Sequence, residues 1–243
     1  MTIQRENLSD RVAQYICDII EKRGLRQGDS LPSEIEVATE LGVSRGIVRE
    51  AFSSLAALGI IDVNSGKRAR VSPIREDVLS RVFRHGVVIE QVTVEQILEL
   101  RRAVECTTAA MAAERRTEEE LAAIRGAAEA IRKDLENADA FVRNDLSFHL
   151  AIARAAHNPL IEMLITALRT LVEESIREGF LGHSGPEDLR RIDELHWAIV
   201  GAIADRDGPR AYESMMRHFT DAVDAVVARA RRRDGTNART PSG

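Results

Sequence analysis

Leu8, Val12, Ile16, Ile19 and Ile20 recur at helical spacing, and the pattern stops at Gly24, just before the turn sequence RQGDSLP. This predicts a first helix. Ser33 followed by Glu36 has the spacing of a capping box, in which serine and glutamate satisfy each other's backbone N–H groups, and predicts a short second helix ending at Leu41-Gly42. Ser44 is placed to cap a third, SRGIVREAFSSLAAL, which Gly59 stops. The period then changes. IIDV and RARV are short extended runs on either side of Asn64-Ser65-Gly66, the composition of a hairpin. Helix, helix, tight turn, helix, hairpin is the order of a winged helix-turn-helix.

From Pro73 onward the chain carries no strand signal. Thr93 with Gln96, and Thr117 with Glu120, repeat the capping-box spacing. Breaks at Asn137, Asn158-Pro159, GHSGPED and Asp207-Gly208-Pro209 divide this part into about six helical segments. The expected fold is therefore mainly α. A winged helix-turn-helix covers residues 1–73, an all-α helical bundle covers 74–232, and 233–243 form a polar tail.

Composition narrows the chemistry. The net charge of −5 argues against indiscriminate nucleic-acid binding but leaves room for a local basic surface. Aromatics at 4% make a base-stacking platform for single strands a poor fit. No apolar run is long enough to span a bilayer, and MTIQRENLSD lacks the apolar core of a signal peptide. Cys17 and Cys106 are far apart and outside any CxxC spacing, which fits a reduced, cytoplasmic setting.

Ser44, Arg45 and Arg49 sit in the first turns of the third helix, the end from which a recognition helix reads base edges. Arginine suits the task because its fork can bond guanine O6 and N7 together. Lys67, Arg68 and Arg70 lie on or beside the hairpin tip, where a wing meets backbone or minor groove. A solvated basic face would carry similar residues. Here, however, they fall at the two contact points of one motif, and double-stranded DNA is the favoured partner. One short helix reads too few bases, so a two-fold dimer on a palindromic site is expected.

The second candidate chemistry lies in DLSFH, where Asp145 and His149 fall on one helical face. His196 and His218 lie in later helical segments, so three helices could supply one carboxylate and three imidazoles. Such a set suits a borderline divalent ion, Zn²⁺ before Ni²⁺ or Mn²⁺. A surface ion pair and satisfied core histidines are the plainer alternatives. His157, at a helix end, can bond the last carbonyls. His183 falls in a loop of flexible composition, and His85 on an early helix has no partner at ligand spacing.

LPSEIEVATELGVSRGIVREAFSSLAALGII resembles the GntR family of bacterial regulators, whose pattern runs close to LPSE-x-x-LA-x-x-LGVSR-x-x-VREAL. The resemblance implies operator contacts from Ser33, Ser44, Arg45, Arg49 and the wing. Two departures stand out: Ile35 where the family often has arginine, and Arg68 in place of the second glycine of the G-x-G-T wing. Both fall at operator contacts, so the family's standard operator does not carry over as it stands.

Residues from 75 to about 230 are similar to the FCD ligand-binding domain of the FadR subfamily, on ELRRAVE and DLSFHLAIARAAHNPLIEML. The metal-binding branch of that domain has D-x-x-x-H and two later histidines, which implies Asp145, His149, His196 and His218 as ligands. It also implies that Arg101 faces the pocket as partner of an anionic effector. By residue pattern alone, Arg101 forms an i,i+4 pair with Glu105 on a helix surface. The combined expectation is a homodimeric regulator, mostly repressing, controlled by a small carboxylic or sugar acid bound at the metal. A metal-dependent hydrolase with a DNA-targeting domain, and a regulator answering to the metal itself, are the competing readings.

Overall fold

The computed structural model describes residues 7–237 other than 65, 183 and 184. The chain divides into two compact units, Met1–Val78 and Leu79–Gly243.

The first unit contains α1 (Leu8–Lys22), α2 (Glu34–Leu41) and α3 (Arg45–Ala57), followed by β1 (Ile61–Asp62) and β2 (Arg70–Val71). The local signals act as their chemistry requires. Ser33 Oγ accepts from Glu36 N while the Glu36 carboxylate accepts from Ser33 N, closing the capping box. Gly42 takes φ 65° at the end of α2, a left-handed cap that costs a side-chain-bearing residue more, and this lets α3 start within the next three residues. Ser44 caps α3 through Ile47 N. The strands pair antiparallel with Ile61 opposite Val71, and Leu31 N donates to Ala69 O, tying the approach to α2 against the wing. Ile16, Val37, Val48, Phe52, Leu55 and Ile61 fill the core at 2% exposure or less. Each such side chain contributes about 1.5–3 kcal/mol of burial. Of the expected turn, Ser65 lies outside the described residues.

The division between the units falls within α4 (Glu76–Val88). The second unit continues with α5 (Val94–Arg115), α6 (Glu118–Lys133), α7 (Ala138–Ala155), α8 (Pro159–Gly182), α9 (Pro186–Ala204) and α10 (Gly208–Asn237). Among the described residues this is seven helices after Pro73 rather than about six, because the stretch before Thr93 forms a helix of its own. No strand occurs there among the described residues. The expected tail at 233 begins inside α10, which runs on to Asn237. The Ala- and Arg-rich run AVVARARRR has high helix propensity and carries the helix past that point. Helix α5 packs against α7, α8, α9 and α10.

One end of this bundle is fastened by arginines. Arg116 Nη2 donates to Ala204 O at 2.8 Å at the end of α9. Arg206 reaches back to Glu114 O and Arg116 O, both at 3.2 Å, at the end of α5. Arg115 caps α7 through Ala156 O at 2.9 Å. Guanidinium donors thereby satisfy carbonyls that helix ends leave unpaired.

Candidate metal centre and DNA-contacting surface

In the first unit, Arg45 and Arg49 are exposed one turn apart on α3, and Ser44 occupies the α3 N-cap. Lys67, Arg68 and Arg70 are exposed on the β1–β2 connection and β2. Several already have partners. Arg49 Nε lies 3.7 Å from Glu34, Arg68 Nη2 lies 2.8 Å from Glu36, and Arg70 Nη1 donates to Gly28 O at 2.5 Å. Exposed pairs of this kind are worth at most about 1 kcal/mol, so a phosphate can displace them. Glu36 serves both the capping box and Arg68, coupling the start of α2 to the wing. Its carboxyl is held below the usual range, first by Ser33 N–H. Ser33 is engaged in the box and partly exposed, whereas Ile35 beside it is 54% exposed.

In the second unit the four expected metal ligands meet. Asp145 and His149 come from one face of α7, His196 from α9 and His218 from α10. Asp145, His149 and His196 are 4%, 2% and 0% exposed, which excludes a surface ion pair. One ligand atom each from Asp145, His196 and His218 lie within 4.8 Å of one another. His196 Nε2 is 3.1 Å from Asp145 Oδ1. His149 Nε2 is 3.2 Å from His218 Nε2 and 3.8 Å from Asp145 Oδ2.

The outer nitrogens decide what these contacts are. His196 Nδ1 lies 2.8 Å from Ile192 O, a pure acceptor, so that nitrogen carries the proton. His149 Nδ1 abuts Glu105 Oε2 as a close charge contact but is a buried nitrogen without a hydrogen bond. With its Nδ1 protonated, a neutral His196 turns an Nε2 lone pair toward the Asp145 carboxylate, an arrangement that a cation between them relieves. Two nitrogens each about 2.0–2.1 Å from one Zn²⁺ at 90–109° would sit roughly 2.8–3.4 Å apart. The donor set therefore fits a divalent ion.

Electrostatics agree. Burial raises the Asp145 carboxyl, but His149, His196 and His218 lower it more, holding it well below the ordinary carboxylate range. Burial, then His196 and His149, push the His218 imidazole well below its usual value. For His218 and Asp145, neutral imidazole and ionised carboxylate are the states that ligate metal. Glu105 is also depressed: burial raises it, and Arg101 followed by His149 outweigh that.

Arg101 is not on the surface. At 3% exposure its Nε lies 2.5 Å from Glu105 Oε1, and its Cζ lies 5.4 Å from the Phe219 ring centre. Because α5 is packed by four helices, its i,i+4 pair turns inward, and the helix-surface reading gives way. Arg101, Asp145, His149 and His218 all line a cavity of about 60 Å³, otherwise walled largely by apolar side chains such as Phe141, Ile176 and Phe180.

Sequence reasoning saw Glu105 as a partner of Arg101 but missed its second contact, to His149. The i,i+4 spacing gives the first, whereas only tertiary packing gives the second. His157 bonds Glu120 at 2.9 Å rather than helix-end carbonyls, because its φ of 50° takes it out of α7. His85 is exposed, and His183 lies outside the described residues. Cys106 is buried and its thiol is pushed up to about 11 by burial, in keeping with a packing role.

Comparisons with known proteins join the two halves. Residues 8–71 match the profile "Bacterial regulatory proteins, gntR family", and residues 96–221 match the FCD domain. The HTH-type transcriptional regulator LutR of Bacillus subtilis is 30% identical over 86% of this chain and 96% of its own. The chain belongs to the GntR family. The HTH-type transcriptional repressor NanR of Escherichia coli is 29% identical, covering 89% of this chain and 83% of its own. A solved Streptococcus agalactiae GntR structure shares the fold, with a TM-score of 0.63, 22% identity, and coverage of 91% of this chain and 99% of that one. This GntR protein is a DNA-binding transcriptional regulator with an FCD effector domain, and its family and relatives are regulators rather than enzymes. No helix among the described residues is long and apolar enough to cross a membrane.

Proposed function

We propose that this regulator is a two-fold symmetric repressor of a palindromic operator, released by a small carboxylic acid that binds in the metal pocket. Asp145, His149, His196 and His218 would hold a divalent ion, Zn²⁺ first and Ni²⁺ or Mn²⁺ next by ligand type. A bound ion supplies positive charge and open coordination positions for oxygen donors. The Ile192 carbonyl fixes the tautomer of His196, and Glu105 sits against His149 as a charged neighbour. Arg101, oriented by Glu105 and Phe219, offers its remaining N–H groups to a carboxylate. Ser44, Arg45 and Arg49 would read bases and phosphate, while Lys67, Arg68 and Arg70 would meet backbone. Ser33 would contribute through the α2 N-terminus.

The observation that carries this reading is that Asp145, His149, His218 and the buried Arg101 line one cavity, with His196 at ligand distance from Asp145 and His218 behind it. Repression is supported by the likeness to the repressor NanR. Acid that binds the DNA-free arrangement better lowers operator affinity by the same factor.

The test measures operator affinity with metal-loaded protein, with chelated protein, and with Arg101→Ala, each titrated with a set of organic acids. The expected result is acid-driven release in the first sample and none in the other two, with Arg101→Ala keeping its metal. Release by metal alone would favour the ion as signal. Release of chelated protein at the same acid concentration would remove the ion from the response.

A further inference from the structure

We infer that Ile35 reads the methyl group of a thymine in each operator half-site, which makes it a specificity-determining residue of the winged helix. This rests on the reading of α3 as the recognition helix and adds to it a residue from α2.

The neighbourhood of Ile35 is the first support. It is the second residue of α2 and is 54% exposed. Both of its chain neighbours are tied to the elements that carry the DNA-contacting arginines. Glu34 lies 3.7 Å from Arg49 on α3, and Glu36 lies 2.8 Å from Arg68 beside β2. An apolar side chain is thus set between two arginine contacts, on the turn of α2 that abuts the base-reading end of α3. The backbone there is held: Ser33 and Glu36 close the capping box, and Thr39 Oγ1 donates to Ile35 O at 2.9 Å.

The core does not use this side chain. Helix α2 turns Val37 and Ala38 inward, at 0% and 8% exposure, and Ile35 stays outside. A single exposed aliphatic residue is ordinary on a protein surface. Its place between two DNA-facing cations is not.

Chemistry then selects the partner atom. A phosphate offers isoleucine neither charge nor apolar surface. Among base edges in the major groove, only thymine presents a hydrocarbon group, its C5 methyl. Against guanine, adenine or cytosine, isoleucine would strip water from polar atoms and give them no partner. Ile35 also stands where the GntR pattern often has arginine, whose fork suits guanine. Exchanging a forked cation for a branched hydrocarbon moves the preferred base from guanine to thymine.

The probe is a duplex enriched from a random pool by the full-length protein. Uracil differs from thymine only by the missing methyl, so replacing one symmetry-related thymine pair at a time deletes single methyl groups. Burying one such group is worth about fourfold in affinity. A two-fold complex that loses it in both half-sites should therefore bind roughly tenfold to twentyfold more weakly. Ile35→Ala should bind the thymine and uracil forms of that pair equally, and about as tightly as wild type binds the uracil form. Its melting temperature and its log K versus log salt slope should match wild type, because no phosphate contact is lost. Enrichment with Ile35→Arg should replace the same thymine by guanine. A wild-type protein indifferent to uracil at every pair overturns the inference, as does a uracil sensitivity that persists in Ile35→Ala. If Arg49→Ala still weakens binding in that case, only the role of Ile35 falls. If Arg49→Ala binds the enriched duplex like wild type, the recognition-helix reading falls and takes this one with it.

Discussion

The two units use polar residues in opposite ways. In the winged-helix unit, charged side chains lie outside, on a core of aliphatic and aromatic residues, and its recognition surface is what the core leaves behind. In the helical unit the polar residues that matter are inside: Arg101, Glu105, Asp145, His149 and His196 are all below 5% exposed. An exposed cationic surface costs little to keep. A buried charged cluster is stable only if every member has its partner, so the second unit's fold and site cannot be separated.

The sharpest break of that contrast is loss of the ion. A ligand present at a thousandfold over its Kd stabilises the folded state by about 4 kcal/mol, so chelation, or Asp145→Ala with His218→Ala, should lower helical-unit stability on that order. Metal analysis of the double variant should find none retained. Calorimetry should show the winged-helix transition unmoved, and a shift in both would mean the units unfold together.

Glu105→Gln tests the buried pair directly. Leaving Arg101 without its anion should cost about 3–5 kcal/mol in urea unfolding. The same change should weaken metal binding by roughly tenfold to a hundredfold through His149. Full retention of both would make Glu105 a bystander.

On the outer surface, Arg49→Ala should lose about 1–3 kcal/mol of operator affinity if it reads a base, with stability and metal content unchanged. An equal loss on unrelated DNA would assign Arg49 to phosphate.

Acid should separate the units as well. His218 is depressed in the fold, so below about pH 6.5 the unfolded chain binds a proton that the folded, metal-free chain refuses. Stability then falls with pH by up to about 1.4 kcal/mol per unit. Asp145 acts in the same direction at lower pH: its contribution is present above the unfolded carboxylate value and is lost as pH falls through the depressed one. A flat profile of metal-free protein between pH 7 and 5 would contradict the assigned state of His218.

Smallest is the cap. Ser33→Ala should cost about 1 kcal/mol of winged-helix stability. It should leave metal content untouched.

How far the sequence could be read follows the same divide. The winged helix is built from signals a few residues apart: Ser33 with Glu36, Gly42, Ser44, Gly59 and the hairpin runs. Each acts locally, so each could be read. Asp145 and His149 share a helix and were visible as a pair. His196 and His218 have nothing in their own neighbourhoods that announces a ligand. Resemblance, not spacing, linked them to the pair. The Glu105–His149 contact and the burial of Arg101 arise only where α5, α7, α9 and α10 come together.

The arginine-fastened corner gives the bundle a direction. Arg115, Arg116 and Arg206 clamp the C-terminal ends of α5, α7 and α9 at one place. The site lies further along those helices: Glu105 is about ten residues from Arg115, or roughly 15 Å at helical rise. Helices clamped at one end through their backbone carbonyls, and held at the other by side-chain pairs such as Asp139–Arg177 and Asp193–Arg132, behave like the tines of a fork. A squeeze applied part-way along moves the far tips more than the clamped root. An acid drawing α5, α7, α9 and α10 together would therefore register at the far ends of the tines. Cutting the clamp with Arg116→Ala should let that displacement leak away into the root.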